Sequence, residues 1–206
     1  MTVSKPLDRD RCRELLAPHL QDLQEIFLTA WTRWQNWVAE VPGSPNDVST
    51  RSRASSLHDF IAAAAETRFL GTPGVTVARK RGLLVLRFND KLVLRFKKFR
   101  GKSLKTSSNA TQQTLTFDAH QLELADMAVQ PVTHLTAGYR LNDLATAMSQ
   151  LAVTCSVDGD HYWAPIDISE IASVHTAPIT SVTTTDPTVI KPGVRSTRRR
   201  RVEDTE

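Results

Sequence analysis

Six basic side chains are concentrated in one short part of the chain, where they could bind phosphate groups. They lie within and just after LLVLRFNDKLVLRFKKFR (residues 83–100), and they are Arg87, Arg95, Lys97, Lys98, Arg100 and Lys102. This many guanidinium and ammonium groups would bind a phosphate backbone strongly, and the binding would weaken as the salt concentration rises. We therefore predict that this stretch contacts nucleic acid, with Asn109 and Gln112 as nearby polar readers.

A second group of residues suggests acid–base chemistry. His58 and Arg53 fall in one predicted helix, and a histidine with an arginine can supply proton transfer and phosphate stabilisation in a metal-independent ribonuclease. His134 or Tyr139 would complete such a site. A single helical histidine also commonly serves packing, so His58 and Arg53 are catalytic candidates and no more.

Several other reaction classes are disfavoured by missing motifs. The sequence has no Walker loop, GxGxxG, HExxH or GxSxG, which argues against nucleotide hydrolysis, dinucleotide redox chemistry, zinc proteolysis and serine hydrolysis. The spacing of Asp118, His120 and Glu123 matches no strong metal pattern, and we expect neither a metal nor another cofactor. Cys12 and Cys155 are expected to be free thiols in a reducing cytoplasm.

Charge is strongly segregated along the chain. Of 26 Lys and Arg residues, 11 lie between Arg79 and Lys105 beside the single acid Asp90, whereas the whole protein carries a net charge of only +4. This distribution predicts a basic face on an otherwise acidic body. Such a face would meet either nucleic acid or an acidic protein partner, and it would also be compatible with a solvated strand surface.

The elements that carry these residues begin with helices. Apolar residues recur at steps of three and four from Leu20 to Val38, which predicts a helix over 18–40. Shorter patterns predict helices over 8–16 and 48–69. Trp31 and Trp34 lie on the apolar stripe of the long helix. Trp37 lies towards its edge and is the candidate for partner binding, because Trp is enriched in binding hot spots.

After Gly74 the apolar period changes to two, which predicts strands over 75–80, 83–88 and 92–99. A three-residue loop, Asn89-Asp90-Lys91, would set Phe88 opposite Leu92. One face would then carry the apolar side chains Leu84, Leu86, Phe88, Leu92, Leu94 and Phe96. The other face would carry Arg87, Arg95 and Lys97 outward, at the cost of a left-handed conformation at Lys91.

Further strands are predicted over 132–141, 145–157 and 161–168, with a hairpin turn at Asp158-Gly159, although "DLATAMSQL" would also suit a helix. We predict a single α+β domain over 1–173, helical over 8–70 and β-rich over 75–168. Its N-terminal helices would pack on a mainly antiparallel sheet. The Thr/Ser/Pro-rich tail 174–206, with its Arg-rich end, is predicted to be disordered. No apolar run approaches the roughly 20 residues of a membrane span, so we expect a cytoplasmic protein without membrane contact.

Three stretches carry a resemblance to a known group of proteins: "LLVLRFNDKLVLRFKKF", "SSNATQQTLTF" and "THLTAGYRLNDLATAMSQLAVTC" with the following "YWAPIDI". They resemble bacterial and phage proteins encoded beside helix-turn-helix regulators fused to metallopeptidase-like domains, in toxin–antitoxin or phage-defence cassettes. The resemblance covers roughly Arg51 to Ile168. It implies an antitoxin-like partner and a growth-inhibiting role, and it assigns no catalytic residue.

The resulting functional interpretation is an effector, toxin-like component of such a cassette that engages nucleic acid, or a nucleic-acid-bound target, through a basic β-hairpin. One alternative is a non-enzymatic module that docks an acidic protein. Another is a metal-independent ribonuclease. The sequence leaves the oligomeric state open.

Overall fold

The structure is a computed structural model that describes residues 5–41, 48–80, 83–106, 117 and 132–171. These residues belong to the first of the two units into which the chain divides, Met1–Ser173 and Val174–Glu206. The predictions for the tail 174–206 lie outside the described residues. So do those for Asn109, Gln112, Asp118, His120 and Glu123.

Three helices make up the N-terminal part of the fold. They are α1 (Arg9–Leu16), α2 (Leu20–Glu40) and α3 (Thr50–Phe69). Asp8 caps α1 by accepting a hydrogen bond from the backbone N–H of Arg11 (2.8 Å), and Ser49 caps α3 by accepting one from that of Ser52 (3.1 Å). The three predicted helices are confirmed, with small shifts at their first residues. Within the described ranges, no helix is both long enough and apolar enough to cross a membrane.

The strands follow the helices in sequence. They are β1 (Val75–Lys80), β2 (Leu83–Phe88), β3 (Leu92–Lys98), β4 (Thr133–Leu141), β5 (Met148–Thr154), β6 (Ser156–Val157), β7 (Asp160–His161) and β8 (Ile166–Asp167). Six form one sheet in the order β1-β2-β3-β4-β5-β8, while β6 and β7 form a separate hairpin. All neighbours are antiparallel except β3 and β4, which are parallel. The α+β prediction with a mainly antiparallel sheet is confirmed.

The hairpin between β2 and β3 has the predicted register. Phe88 pairs with Leu92, and Leu86 with Leu94. The predicted apolar face is fully buried, and it consists of Leu84, Leu86, Phe88, Leu92, Leu94 and Phe96. Burying each such side chain contributes about 1.5–3 kcal/mol before entropy, so this face alone is a large part of the core.

The turn of this hairpin differs from the prediction in one respect. The left-handed residues are Asn89 (φ 48°) and Asp90 (φ 54°), and not Lys91. The backbone N–H of Lys91 donates to the carbonyl of Phe88 (3.0 Å), which closes a tight turn across the two left-handed residues. Asn and Asp tolerate positive φ better than Lys does, so the chain makes the turn with its better-suited residues.

The helices cover the face of the sheet that carries these apolar side chains. Phe27 of α2 contacts the rings of Phe96 and Tyr139 at centroid distances of 5.8 and 6.1 Å, and Phe69 of α3 contacts Phe88 at 5.6 Å. Trp34 is buried in the same cluster, as the apolar stripe predicted. One continuous core therefore joins all three helices to the sheet.

Two predicted strands are shorter than expected. The side-chain carbonyl of Asn142 accepts hydrogen bonds from the backbone N–H groups of Thr146 (2.8 Å) and Ala147 (3.3 Å), so residues 142–147 form a loop and neither strand nor helix. The strand predicted over 161–168 is interrupted. The indole N–H of Trp163 donates to the carbonyl of Leu7, and Pro165 has no backbone N–H to pair with a neighbouring strand. The predicted turn at Asp158-Gly159 is confirmed between β6 and β7.

Gly138 of β4 is required by close packing on the sheet face opposite the helices. A methyl carbon placed there would lie 2.6 Å from the backbone oxygen of Lys97 and 2.6 Å from two ring carbons of Phe99. The ring of Phe99 therefore takes the space that a side chain at 138 would occupy.

We expect Gly138→Ala to lower the free energy of unfolding by about 1–3 kcal/mol, the usual cost of overpacking. Denaturant unfolding of Gly138→Ala, Phe99→Leu and the double variant measures this effect. Leu lacks the two ring carbons, so the double variant should lose less stability than the sum of the single variants. Simple additivity would show that the ring does not constrain this position.

Candidate nucleic-acid interface

The second face of the sheet, opposite the helices, carries the basic residues that were expected to face solvent. Arg87 and Arg95 do lie on this face, but their exposed fractions are only 9% and 3%. The prediction that they are displayed to solvent is wrong. Other parts of the chain cover Arg95, whereas Arg87 lies against the turn of its own hairpin.

Arg95 is enclosed by residues from the β3–β4 connection and from β4. Its guanidinium carbon lies 3.8 Å from the ring centroid of Phe117, and its Nε donates to the hydroxyl of Thr136 (3.2 Å). The Phe117 ring also stacks on His134 at 4.6 Å, and His134 Nδ1 is 2.7 Å from the Phe117 carbonyl. A cation over an aromatic face is stabilised when water is excluded, so Arg95 here acts as a packing residue.

Arg87 is held at the turn of the hairpin. Its Nε lies 2.9 Å from a carboxylate oxygen of Asp90, the one acid in the basic stretch. The same Asp90 that adopts the left-handed conformation therefore also compensates the charge of a buried arginine.

The remaining predicted cations lie towards the end of β3 and in the turn after it. Lys97 and Lys98 are half-buried, whereas Arg100 and Lys102 are exposed. Alternation along β3 points Lys98 to the helix side of the sheet, the side of Phe96. There it approaches Arg53 of α3. We call Arg53, Lys98, Arg100 and Lys102 the cationic patch.

The positive charges of the cationic patch act on one another. The pKa of the Lys98 ammonium is lowered, first by burial and then by the nearby positive charges of Arg53 and Arg100. None of the ion pairs found among the described residues involves Lys98, Arg100 or Lys102. The patch thus brings several positive charges together without a carboxylate from the described chain to neutralise them.

Arg53 is fixed in this position by the loop after β4. Its guanidinium Nη1 donates to the backbone carbonyl of Ala145 (3.1 Å), and Ala145 has a left-handed backbone (φ 53°). Arg53 was predicted as a catalytic candidate beside His58. The structure places it nearer to the predicted phosphate-binding residues.

The turn that carries Arg100 and Lys102 is held by three polar contacts. The Arg100 N–H donates to the carbonyl of Lys105 (2.8 Å) and the Lys105 ammonium pairs with Asp160 (2.6 Å). Nε2 of His161 lies 2.7 Å from the Ser103 carbonyl, to which it donates. Lys105, Asp160 and His161 were not predicted as supports, because Lys105 is far in sequence from the other two and the β6–β7 hairpin brings them together.

The ribonuclease candidates are only partly brought together, because the positive charge of Arg53 acts on Tyr139 while the two histidines lie elsewhere. His58 is half-buried on α3, and its pKa is lowered first by burial and then by Lys97, with Asp59 opposing. Tyr139 is buried in the core, where desolvation raises its pKa to about 12. His134 lies on the opposite face of the sheet from α3, against Phe117. The sheet separates His134 from His58, and the raised pKa of Tyr139 disfavours its deprotonated form. The geometry therefore gives no support for acid–base catalysis by these residues.

Metal binding finds no support within the part of the chain that the structure describes. No group of three or more His, Cys, Asp or Glu side chains there could hold a metal ion. Cys12 and Cys155 are both buried and neither forms a disulfide, and burial raises the pKa of Cys12 to about 12. A thiol with so high a pKa is a poor nucleophile near neutral pH.

Comparison with known proteins adds no further assignment. The chain has no significant match among protein-family models, curated proteins or solved structures. The function must therefore be argued from the geometry of the cationic patch.

Substitution at Arg100 should change the titration of Lys98. Removing a neighbouring positive charge makes the protonated ammonium less unfavourable, so Arg100→Gln should raise the lowered pKa of Lys98 towards its ordinary value of 10.5. Side-chain NMR titration measures this shift. Lys102→Gln is the matched control and should have the smaller effect. An unchanged pKa in Arg100→Gln would show that the charges do not interact.

Proposed function

We propose that this protein binds nucleic acid through phosphate contacts made by the cationic patch. The observation that carries the proposal is the convergence of Arg53, Lys98 and Arg100, where burial first and then the two neighbouring cations lower the pKa of Lys98. A phosphate placed among these groups would relieve the repulsion and would favour the protonated lysine. Such contacts fix a nucleic acid by its backbone and carry little sequence information.

The proposed interface differs from the one expected of a simple basic hairpin. Arg87 and Arg95 support the sheet, because each is buried against a partner that neutralises it or packs on it. Lys98, Arg100 and Lys102 remain as contact residues from the predicted set. Arg53 joins them from α3. The interface therefore includes the end of β3, the following turn and one helix.

Nucleic acid is favoured over an acidic protein by the nature of the donors. Guanidinium groups present several N–H donors in a plane, which suits bidentate recognition of phosphate, and two of the four patch residues are arginines. The patch contains no large apolar side chain, whereas protein interfaces usually need a buried apolar or aromatic centre. Docking of an acidic protein is thus the alternative outcome of the binding test.

The binding test uses fluorescence anisotropy with mixed-sequence DNA and RNA over a series of salt concentrations. We expect the wild-type affinity to fall steeply as salt rises. Arg100→Glu/Lys102→Glu should bind more weakly, and the slope of log affinity against log salt should decrease by about 2, since each lost contact with duplex DNA contributes about 0.9.

A matched control separates a local effect from a change in net charge. Arg11→Glu/Arg13→Glu reverses two exposed arginines on α1 and changes the net charge by the same amount. For this control, the slope of log affinity against log salt should stay close to that of wild type. Equal losses in both variants, or wild-type binding that is independent of salt, would overturn the proposal. If wild type instead captures a stoichiometric acidic protein after nuclease treatment, the interaction-module alternative replaces it.

The toxin-like effector role belongs to this proposal and is supported only by the sequence resemblance. If phosphate contacts deliver the effect, induced expression of the wild-type chain in a bacterial host should slow growth. Arg100→Glu/Lys102→Glu should not slow growth, whereas Arg11→Glu/Arg13→Glu should act like wild type. Growth curves at matched protein levels measure this. Equal toxicity of all three chains would show that the cationic patch does not cause the slowed growth.

A further inference from the structure

A groove of about 450 Å³ lies between α2 and α3. Its floor is apolar. Ile26 and Ala30 contribute from α2, and Phe60, Ala63 and Ala64 contribute from α3. The two helices are antiparallel, because Asp22 near the start of α2 pairs with Arg68 near the end of α3. The groove therefore has the shape and lining that suit another helix.

The α2 side of this groove forms a stripe that continues beyond it. Ile26, Ala30 and Arg33 recur at helical spacing, and Trp37 follows four residues after Arg33. Trp37 is 42% exposed although its ring packs at a tilt against the ring of Trp34, with the ring centroids 5.4 Å apart. A large aromatic left half-exposed at the end of an apolar groove is the kind of residue that anchors a helix-docking interface.

The charges along the stripe determine what fits it. Glu25 lies on its N-terminal side and Arg33 on its C-terminal side, with Thr29 midway between them. The guanidinium of Arg33 lies 4.6 Å over the ring of Phe60, and Glu25 accepts a hydrogen bond from Gln21 (3.0 Å). Both side chains are thus held along the groove, with opposite charges about 12 Å apart along the helix.

We propose that the groove binds α2 of a second copy of this chain, in a two-fold dimer whose axis passes near Thr29. An antiparallel copy presents the same pattern in reverse, so Glu25 of each chain meets Arg33 of the other. The small residues Thr29 and Ala30 lie at the crossing point and allow the helices to approach closely. The four helices of the two copies then form a bundle over the groove.

We infer a second copy of α2 as the occupant because the charge pattern of the stripe is complementary to itself. A segment of uniform charge would match one end of the stripe and oppose the other. A second α2 matches both ends at once, because the two-fold axis exchanges them. The surface is separate from the cationic patch, so self-association does not depend on nucleic-acid binding.

The mass of the full chain in solution tests the dimer, by light scattering over a concentration series. Wild type should reach the mass of two chains. Arg33→Glu should give the mass of one chain, since two acids then face each other at both contacts. Glu25→Arg/Arg33→Glu should restore the mass of two. Arg13→Glu on α1 is the matched control and should remain a dimer.

Thr29 provides a second test that does not depend on Arg33 or its contact with Phe60. Thr29 is exposed and meets its own copy at the axis, so Thr29→Glu and Thr29→Arg should each be monomeric. Mixed together, they should form a heterodimer. Thermal melting checks that each variant is folded. A wild type that stays at the mass of one chain would overturn the proposal. So would Thr29 variants that remain dimeric alone, or a mixture that stays monomeric.

Discussion

The parallel pairing of β3 with β4 is the constraint on which the rest of this structure depends. Adjacent antiparallel strands can be joined by a tight turn, but parallel neighbours need a crossover that passes over a face of the sheet. Helices already occupy one face here. The described parts of the connection, Phe99, Leu104 and Phe117, pack on the other face, so both faces are covered and Arg95 becomes a buried residue.

The features that sequence reasoning could predict are those set by local periodicity. The bounds of β1 and β2 and the register of Phe88 opposite Leu92 follow from alternation and from the burial of one face. The parallel neighbour of β3 could not be read in this way, because nothing local to 92–98 specifies which distant strand pairs with it. The error about Arg95 is a direct result, since a β2–β3 hairpin with neither β4 nor the β3–β4 connection beside it would have exposed this side chain.

The same reasoning explains which part of the candidate site was found. Arg100 and Lys102 follow a strand that was predicted correctly, and their exposure agrees with a turn. Arg53 was assigned to His58 because the two share a helix, but its position beside Lys98 depends on how α3 packs against the end of β3. The turn that carries Arg100 and Lys102 is supported by Asp160 and His161, which belong to a hairpin more than fifty residues further along the chain. Contacts of this kind carry no periodic signal.

Burial divides the cations of one continuous ribbon into two roles. Arg95 is buried, where its guanidinium lies over the Phe117 ring and donates to the Thr136 hydroxyl, so it packs as part of the sheet. Lys98 is also partly desolvated, but its neighbours are the cations Arg53 and Arg100, so the folded state disfavours its charged form. An anion at the patch would offset the repulsion between these cations. If the anion bound the folded chain and not the unfolded one, binding and folding would be linked, and occupation of the proposed site would stabilise the folded chain.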